Sequence, residues 1–372
     1  MFHPLSTKDR RFPKNRVFCL VNRNRHWSTS LQQSFYNFTL EDLTIEQRVD
    51  KATLPLHWAK AAFKKVYKEL NTNINEWNFP RPWATWLEQE TSFDLFKKVN
   101  FQQSIDQTTK FLFTLEDGKS IETVLIPFEN HYSLCLSTQV GCAFGCTFCF
   151  TGKKGLLRNL TTAEIVAQVV YVKKWLSKNK EKMKKSLTNI MYMVQGEPLH
   201  NFDAVKKATS IFLNSWGLDF APRKISLSTV GHVPALKRWN ELPAINLSVS
   251  LHAATDELRD ALMPINKNHN LKELVKVLKG LSFSGRKKIS FEYIMIQGQN
   301  DREQDIYHLI ELLKEIPCQI NLIPTNSFPG SSFQSSPLPH IYEFKRKLTE
   351  KGLFATVRKT KGDDILAACG QL

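Results

Sequence analysis

The sequence predicts an α/β fold in which a parallel sheet alternates with helices, preceded by a small helical domain. Short β-branched apolar runs at 188–194, 224–229, 244–251, 288–296 and 319–323 alternate with helical patterns near 202–214, 255–262, 271–281, 301–314 and 338–351. Repeating strand-helix units imply parallel pairing, because parallel neighbours need a crossover long enough to hold a helix. Earlier in the chain, Leu56, Ala59, Ala62, Phe63, Val66 and Leu70 recur every three or four residues, which is the helical period. The sheet is either open and doubly wound or a full or partial barrel. In both, chemistry collects at the carboxyl ends of the strands.

The remaining elements follow in order. Residues 1–39 read as a basic arm, with Lys8, Arg10, Arg11, Lys14, Arg16, Arg23 and Arg25 against Asp9, and with Pro4 and Pro13 interrupting any helix. A solvated tail, an RNA contact and an organellar transit peptide all fit that composition. Residues 40–100 form the helical domain. Pro80 and Pro82 break it, and Trp83, Trp86, Leu87, Phe93 and Phe96 resume the period as far as Val99. Aromatic residues at helical spacing are read as core rather than as base-stacking platforms.

Residues 101–130 form a hairpin linker, with strands at 110–114 and 120–126 joined by the turn Glu116-Asp-Gly-Lys119. The domain from 131 to 372 then holds the strand-helix repeats. Its first helix covers 161–176 with Thr161 or Thr162 as N-cap, and the lysine run from Lys173 to Lys185 is its exposed exit.

Composition narrows the function. The chain of 372 residues carries 51 Lys and Arg against 35 Asp and Glu, a formal charge of +16, which favours a polyanionic partner and most simply nucleic acid. No apolar run reaches the length that spans a bilayer, and no secretory signal is visible. Seven cysteines without such a signal point to a reducing cytoplasm rather than to a disulfide framework.

Four of those cysteines, Cys135, Cys142, Cys146 and Cys149, fall in one stretch, and the last three are spaced C-x3-C-x2-C. Three thiolates leave a structural zinc site one ligand short. They suit a cubane iron-sulfur cluster that keeps one iron open. Other polar residues fall at the ends of strands: Gly196 and Glu197, Ser228, the segment Ser250, Leu251 and His252, and Asn326. Read alone, His252 is a hydrogen-bonding residue, Cys369 a buried structural thiol and Glu122 a solvent-facing strand residue. Cys19 and Cys318 are read as structural.

C-x3-C-x2-C after a strand resembles the signature of the radical S-adenosylmethionine (SAM) superfamily. Further motifs resemble the RlmN and Cfr group, from Gly155-Leu-Leu-Arg-Asn-Leu160, Gly196-Glu-Pro-Leu199, Ser250-Leu-His-Ala253 and Met263-Pro-Ile-Asn266 to Phe328-Pro-Gly330 and Ala368-Cys-Gly-Gln-Leu372. The resemblance runs in register from about Leu56 to the C-terminus.

It implies a radical SAM partial (β/α)6 TIM-like barrel with a small N-terminal helical domain. One [4Fe-4S] cluster would sit on Cys142, Cys146 and Cys149, and SAM on Gly196, Glu197, Ser228, Ser250, Leu251, His252 and Asn326, with two SAM used per turnover. Cys369 would accept a methyl group from the first SAM. A 5'-deoxyadenosyl radical from the second would abstract hydrogen from that methyl, and the carbon radical would add to an adenine ring. Glu122 would accept the ring proton, and Cys135 would resolve the adduct through a transient disulfide with Cys369. The product would be 2-methyladenine in ribosomal RNA, transfer RNA or both.

The resemblance further implies a cytoplasmic monomer reduced by a donor such as flavodoxin. A Cfr-like enzyme acting at adenine C8 and an inactive iron-sulfur RNA-binding protein are the alternatives. Lys153, Lys154, Arg158 and the lysine run would hold phosphates, with a solvated surface as the other reading of that run. The chain departs from the group at Val194 and Gln195, where a Gly-Met pair is usual, at Phe150 in place of a small residue, at Thr325 and in its long basic arm. These departures bear on which RNA it modifies.

Overall fold

The computed structural model describes residues 32–45, 48–49, 52–281 and 288–372. The basic arm before residue 32, with Cys19, lies outside them. One ten-stranded sheet organises the molecule: β1 (Phe96–Gln103), β2 (Thr109–Leu115), β3 (Ser120–Pro127), β4 (His131–Leu136), β5 (Ser186–Tyr192), β6 (Ile225–Thr229), β7 (Asn246–Ser250), β8 (Ile289–Met295), β9 (Cys318–Pro324) and β10 (Ala355–Val357). The strands lie side by side in chain order. From β4 to β10 every pairing is parallel, and from β1 to β4 every pairing is antiparallel. Six strand-helix units from β4 to β9 make the partial barrel, and β10 extends its far edge. The residues of the expected hairpin linker pair directly onto β4 and continue the barrel sheet.

The helical pattern expected through Val99 ends at Glu90: Thr91–Ser92 is a short strand, and from Phe96 the chain is β1, where the periodicity misleads. The cause is a bulge between Phe96 and Lys98. An extra residue turns the two-residue alternation into a three-residue step, so Phe96, Val99 and Phe101 share a face and mimic helical spacing. They pair with Leu115, Phe113 and Phe111. Helix α3 (Thr162–Lys178) covers that face, with Tyr171 edge-on to Phe113 at 5.2 Å and Trp175 edge-on to Phe111 at 5.2 Å.

The N-terminal domain contains α1 (Leu56–Phe63) and α2 (Arg81–Glu90), the latter opening with Pro82 in its first turn, where proline costs no hydrogen bond. Its aromatic residues are core, as expected. Phe35 packs on Phe93, Phe63 and Tyr67 at 5.3, 6.1 and 6.1 Å between ring centres. The lysine run is less exposed than expected at its start, because Lys173 donates to the Tyr67 carbonyl and Lys174 to the Thr72 hydroxyl. Those two lysines tie α3 to the N-terminal domain.

Thr161 is the N-cap of α3. Its hydroxyl accepts from Glu164 N at 3.2 Å while Glu164 Oε2 accepts from Thr161 N at 2.8 Å, a closed capping box. Thr161→Ala is expected to cost about 1 kcal/mol, read as a lower urea midpoint at unchanged slope. Among the described residues no helix is long and apolar enough to cross a membrane.

Further helices alternate with the strands: α4 (Phe202–Leu213), α5 (Asp256–Leu262), α6 (Leu271–Lys279), α7 (Glu303–Leu313) and α8 (Leu338–Glu350). They match the sequence periodicity to within a few residues.

Candidate functional site

The cysteine loop leaves the carboxyl end of β4 and is pinned at its root. Residues Gln139–Gly141 pair antiparallel with Leu156–Asn159, and Gly141 has φ +80°. A Cβ there would stand 1.8 Å from the Gly155 carbonyl oxygen, so only glycine lets the two segments meet. The loop then brings Cys142, Cys146 and Cys149 to one cavity of about 170 Å³. Burial raises all three thiols, Cys142 to about 12. Among the described residues no three His, Cys, Asp or Glu side chains gather closely enough to hold a single metal ion. Thiolates that each take a separate iron of one cluster need no common point, so the donor set fits an iron-sulfur cluster.

Most of the expected SAM contacts line the same cavity: Gly196, Glu197, Ser228, Ser250, His252 and Asn326. Leu251 does not. Its side chain is packed in the main hydrophobic core, and only its neighbours face the cavity. The strand ends at Ser250, and the left-handed backbone at His252 keeps Ser250 and His252 on the cavity while Leu251 turns into the core.

Glu197 is buried. Its Oε1 accepts from Leu199 N at 3.0 Å and its Oε2 from Val230 N at 2.8 Å. Burial outweighs these bonds and pushes its carboxyl up to about 7. His252 sits at φ +57° and accepts from Ile294 N at 3.1 Å through Nδ1. Burial, with Arg259 and Arg358 nearby, pushes it down to about 3, so it is a neutral acceptor as the sequence suggested.

A second cavity of about 950 Å³ shares Met193, Val194, Ile323, Asn326, Arg358 and Cys369 with the first. Cys135, on β4, lines this larger cavity, as does Cys369. The C-terminal segment is held there by several bonds. Phe150 N donates to the Gly370 carbonyl at 2.8 Å, Asn326 Nδ2 to the Cys369 carbonyl at 3.1 Å, and Gln371 Nε2 to the Ser327 carbonyl at 2.7 Å. All six described cysteines are free thiols, so the structure holds no disulfide between Cys135 and Cys369. Burial and the neighbouring Cys369 push Cys135 up to about 12, with Arg358 acting against them.

Glu122 is on the same face of β3 as Val124 and Ile126, which wall the larger cavity. Its own carboxylate is engaged beside that wall, 3.3 Å from Lys110 Nζ and 3.4 Å from Gln195 Nε2. Lys110 also donates to the Leu366 carbonyl at 3.1 Å, which ties this pair to the segment bearing Cys369.

Arg358 is a residue to which the sequence reading gave no role. Its Nη1 donates to Cys369 Sγ at 3.2 Å and its Nη2 pairs with Glu292 Oε2 at 3.1 Å. The basic cluster Arg358, Lys359 and Lys361, which begins eleven positions before Cys369, was the available signal. Of the basic residues assigned to phosphates, Lys182, Lys184 and Lys185 line the larger cavity with Lys359 and Lys361. Arg158 is not free for that role, because its guanidinium is taken by Glu164 and Asp117 at 2.8 and 2.7 Å. Lys153 donates to the Gly330 carbonyl at 2.9 Å.

Comparison with known proteins shows the family. The profile of the Radical SAM superfamily matches residues 136–310. The chain is 42% identical over 316 residues to the dual-specificity RNA methyltransferase RlmN of Pelobacter propionicus, covering 84% of this chain and 88% of that protein. It is 40% identical over 347 residues to the protein of the same name from Desulfosudis oleivorans, covering 93% and 92%. Among solved structures, a radical SAM methyltransferase from Sphaerobacter thermophilus superposes with a TM-score of 0.83 at 35% identity, covering 91% of this chain and 98% of that one.

Proposed function

The chain belongs to the RlmN family of radical SAM RNA methyltransferases, and on that premise we propose that it methylates C2 of an adenine in ribosomal or transfer RNA, with Cys369 as the methyl carrier. One observation carries the reading: Cys369 lines both cavities, the one that gathers Cys142, Cys146 and Cys149 and the larger one that holds Cys135. A sulfur at that junction can receive a methyl group on one side and present it on the other.

The family works with a [4Fe-4S] cluster and SAM, which together supply a radical able to take hydrogen from a methyl group. Cys142, Cys146 and Cys149 would hold the cluster, and Gly196, Glu197, Ser228, Ser250, His252 and Asn326 would hold SAM. The remaining steps fall to this chain's own side chains. Arg358 fixes the Cys369 sulfur between the two cavities. Glu122 takes the proton from the ring carbon to which the sulfur-bound methylene is joined and gives up its pairing with Lys110 in doing so, while the odd electron left by the radical addition would return to the cluster. Cys135 attacks the Cys369 sulfur, the bond from sulfur to the methyl carbon breaks, and the released base takes up a proton.

The lysines lining the larger cavity hold the RNA backbone, which makes binding salt-sensitive. A flavodoxin-like donor supplies the electrons. The ten-stranded sheet with its helices, residues 96–372, acts as the catalytic domain and the helical residues before it as an RNA-binding-type domain.

The test is anaerobic reconstitution with methyl-deuterated SAM, followed by mass spectrometry of RNA nucleosides and of the C-terminal peptide. Label at adenine C2 and on Cys369 is expected. Label at C8 would move the enzyme to the Cfr side, and label at neither place would sink the reading.

Glu197 adds a pH dependence. Its carboxyl, raised to about 7, is half ionised at that pH and loses its charge below it, and the ionised form is the better partner for the SAM ammonium. SAM affinity is therefore expected to fall about fivefold from pH 7 to pH 6, measured by equilibrium dialysis. Glu197→Gln should flatten that dependence. An equally steep profile in the variant would remove Glu197 from the SAM site.

A further inference from the structure

Helix α5 buries an arginine. Arg259 is 1% exposed, and its guanidinium donates to the carbonyls of Leu251, Val230 and Ser250 at 3.2, 2.8 and 3.1 Å and to Asn266 Oδ1 at 2.8 Å. None of these four acceptors is a carboxylate. Asp256 and Asp260 are held on the far side of the Asn266 amide, 2.9 and 2.7 Å from its Nδ2. Burial pulls Arg259 down to about 10, which leaves it charged at neutral pH. A buried cation bonded only to neutral groups calls for an anion nearby.

The surroundings indicate which anion. Val230 and Ser250, whose carbonyls the guanidinium holds, line the cavity into which Cys142, Cys146 and Cys149 project. The end of the same helix is bonded to the cysteine loop, since Thr147 N donates to the Leu262 carbonyl at 3.0 Å. Leu262, Met263 and Cys146 share one apolar cluster. Arg259 therefore stands directly behind the wall of that cavity. Three thiolates outweigh the charge of an oxidised [4Fe-4S] core, and one-electron reduction makes the assembly more negative still. The charge around a cluster is one of the levers that set its potential.

We propose that Arg259 is the counter-charge of the iron-sulfur cluster: its guanidinium, fixed by Val230, Ser250, Leu251 and Asn266, stabilises the reduced cluster over the oxidised one and so raises its reduction potential. The proposal rests on Cys142, Cys146 and Cys149 being the cluster ligands. It also accounts for the choice of arginine, whose planar fork can hold several carbonyls at once while keeping its charge. Val230 N donates to Glu197, so the same fork steadies a second wall of the cavity.

The test is a redox titration of the reconstituted full chain, followed by the paramagnetic signal of the reduced cluster, with iron and sulfide content measured alongside. Arg259→Gln, which removes the charge, is expected to lower the ratio of reduced to oxidised cluster at the wild-type midpoint about tenfold, a negative shift of roughly 59 mV for a one-electron couple. Arg259→Lys, which keeps the charge and loses the fork, is expected to hold the wild-type midpoint.

A glutamine variant with full iron content and an unmoved midpoint overturns the proposal. So does a lysine variant that falls as far as glutamine. If the glutamine protein does not fold, the lysine protein decides alone: an unmoved midpoint supports the counter-charge and a negative shift refutes it. A wild-type chain that takes up no cluster would sink the ligand assignment, a failure separate from any shift in midpoint.

Discussion

Cys369→Ala is expected to abolish methyl transfer to RNA, a loss on the order of 10⁴-fold or more, as when other covalent nucleophiles are removed. Cys135→Ala is expected to stop later, with RNA covalently attached to the protein. The two cysteines line one cavity, so a purely structural effect of cavity size would weaken both variants alike. The proposed roles separate them, because only a chain that keeps Cys369 can form the adduct, and only a chain that keeps Cys135 can release it. A denaturing gel of protein incubated with RNA and SAM under reducing potential distinguishes the outcomes. A slow-migrating, nuclease-sensitive species from Cys135→Ala and none from Cys369→Ala is the expected pattern. Equal behaviour of the two variants would break the assignment.

The barrel was legible in the sequence because each strand-helix unit announces itself through its own period, and β5 to β9 fall where the apolar runs do. Legibility failed where two periods collided. A single bulge at Phe96 and Lys98 was enough to make a strand look helical. Side-chain roles were legible where a residue type is committed by its chemistry, as with the three clustered thiols. They were not legible where long side chains choose among partners distant in sequence. Arg158 is taken by Glu164 and Asp117, Lys173 by a carbonyl of another domain, and Arg358 by Cys369 and Glu292. Lys110 and Gln195, which hold Glu122, gave no signal either, since nothing in a strand's own pattern says which carboxylate its lysine will meet.

Gly196→Ala is expected to cost roughly 2 to 6 kcal/mol of stability and to remove measurable SAM binding. Gly196 has φ +95°, a conformation that carries a penalty of about 1 to 3 kcal/mol for a residue with a Cβ. The added carbon would stand 2.5 Å from Gln139 Cβ and 2.8 Å from Gln139 N, and relieving an overpacked site costs about 1 to 3 kcal/mol more. Gln139 has nowhere to retreat. Its Oε1 accepts from Glu197 N at 2.8 Å and its Nε2 donates to Asn159 Oδ1 at 2.7 Å. Any shift that admits the methyl group therefore moves Glu197, the residue whose carboxylate is proposed to meet the SAM ammonium. Gly298→Ala is the control: its φ is +71° but a Cβ there meets nothing within 4 Å, so it should show the backbone penalty alone and leave SAM binding intact. Urea unfolding and equilibrium dialysis on both variants separate the close approach at Gly196 from the backbone conformation that the two glycines share, and equal losses in the two would mean that the approach to Gln139 is not what holds the site.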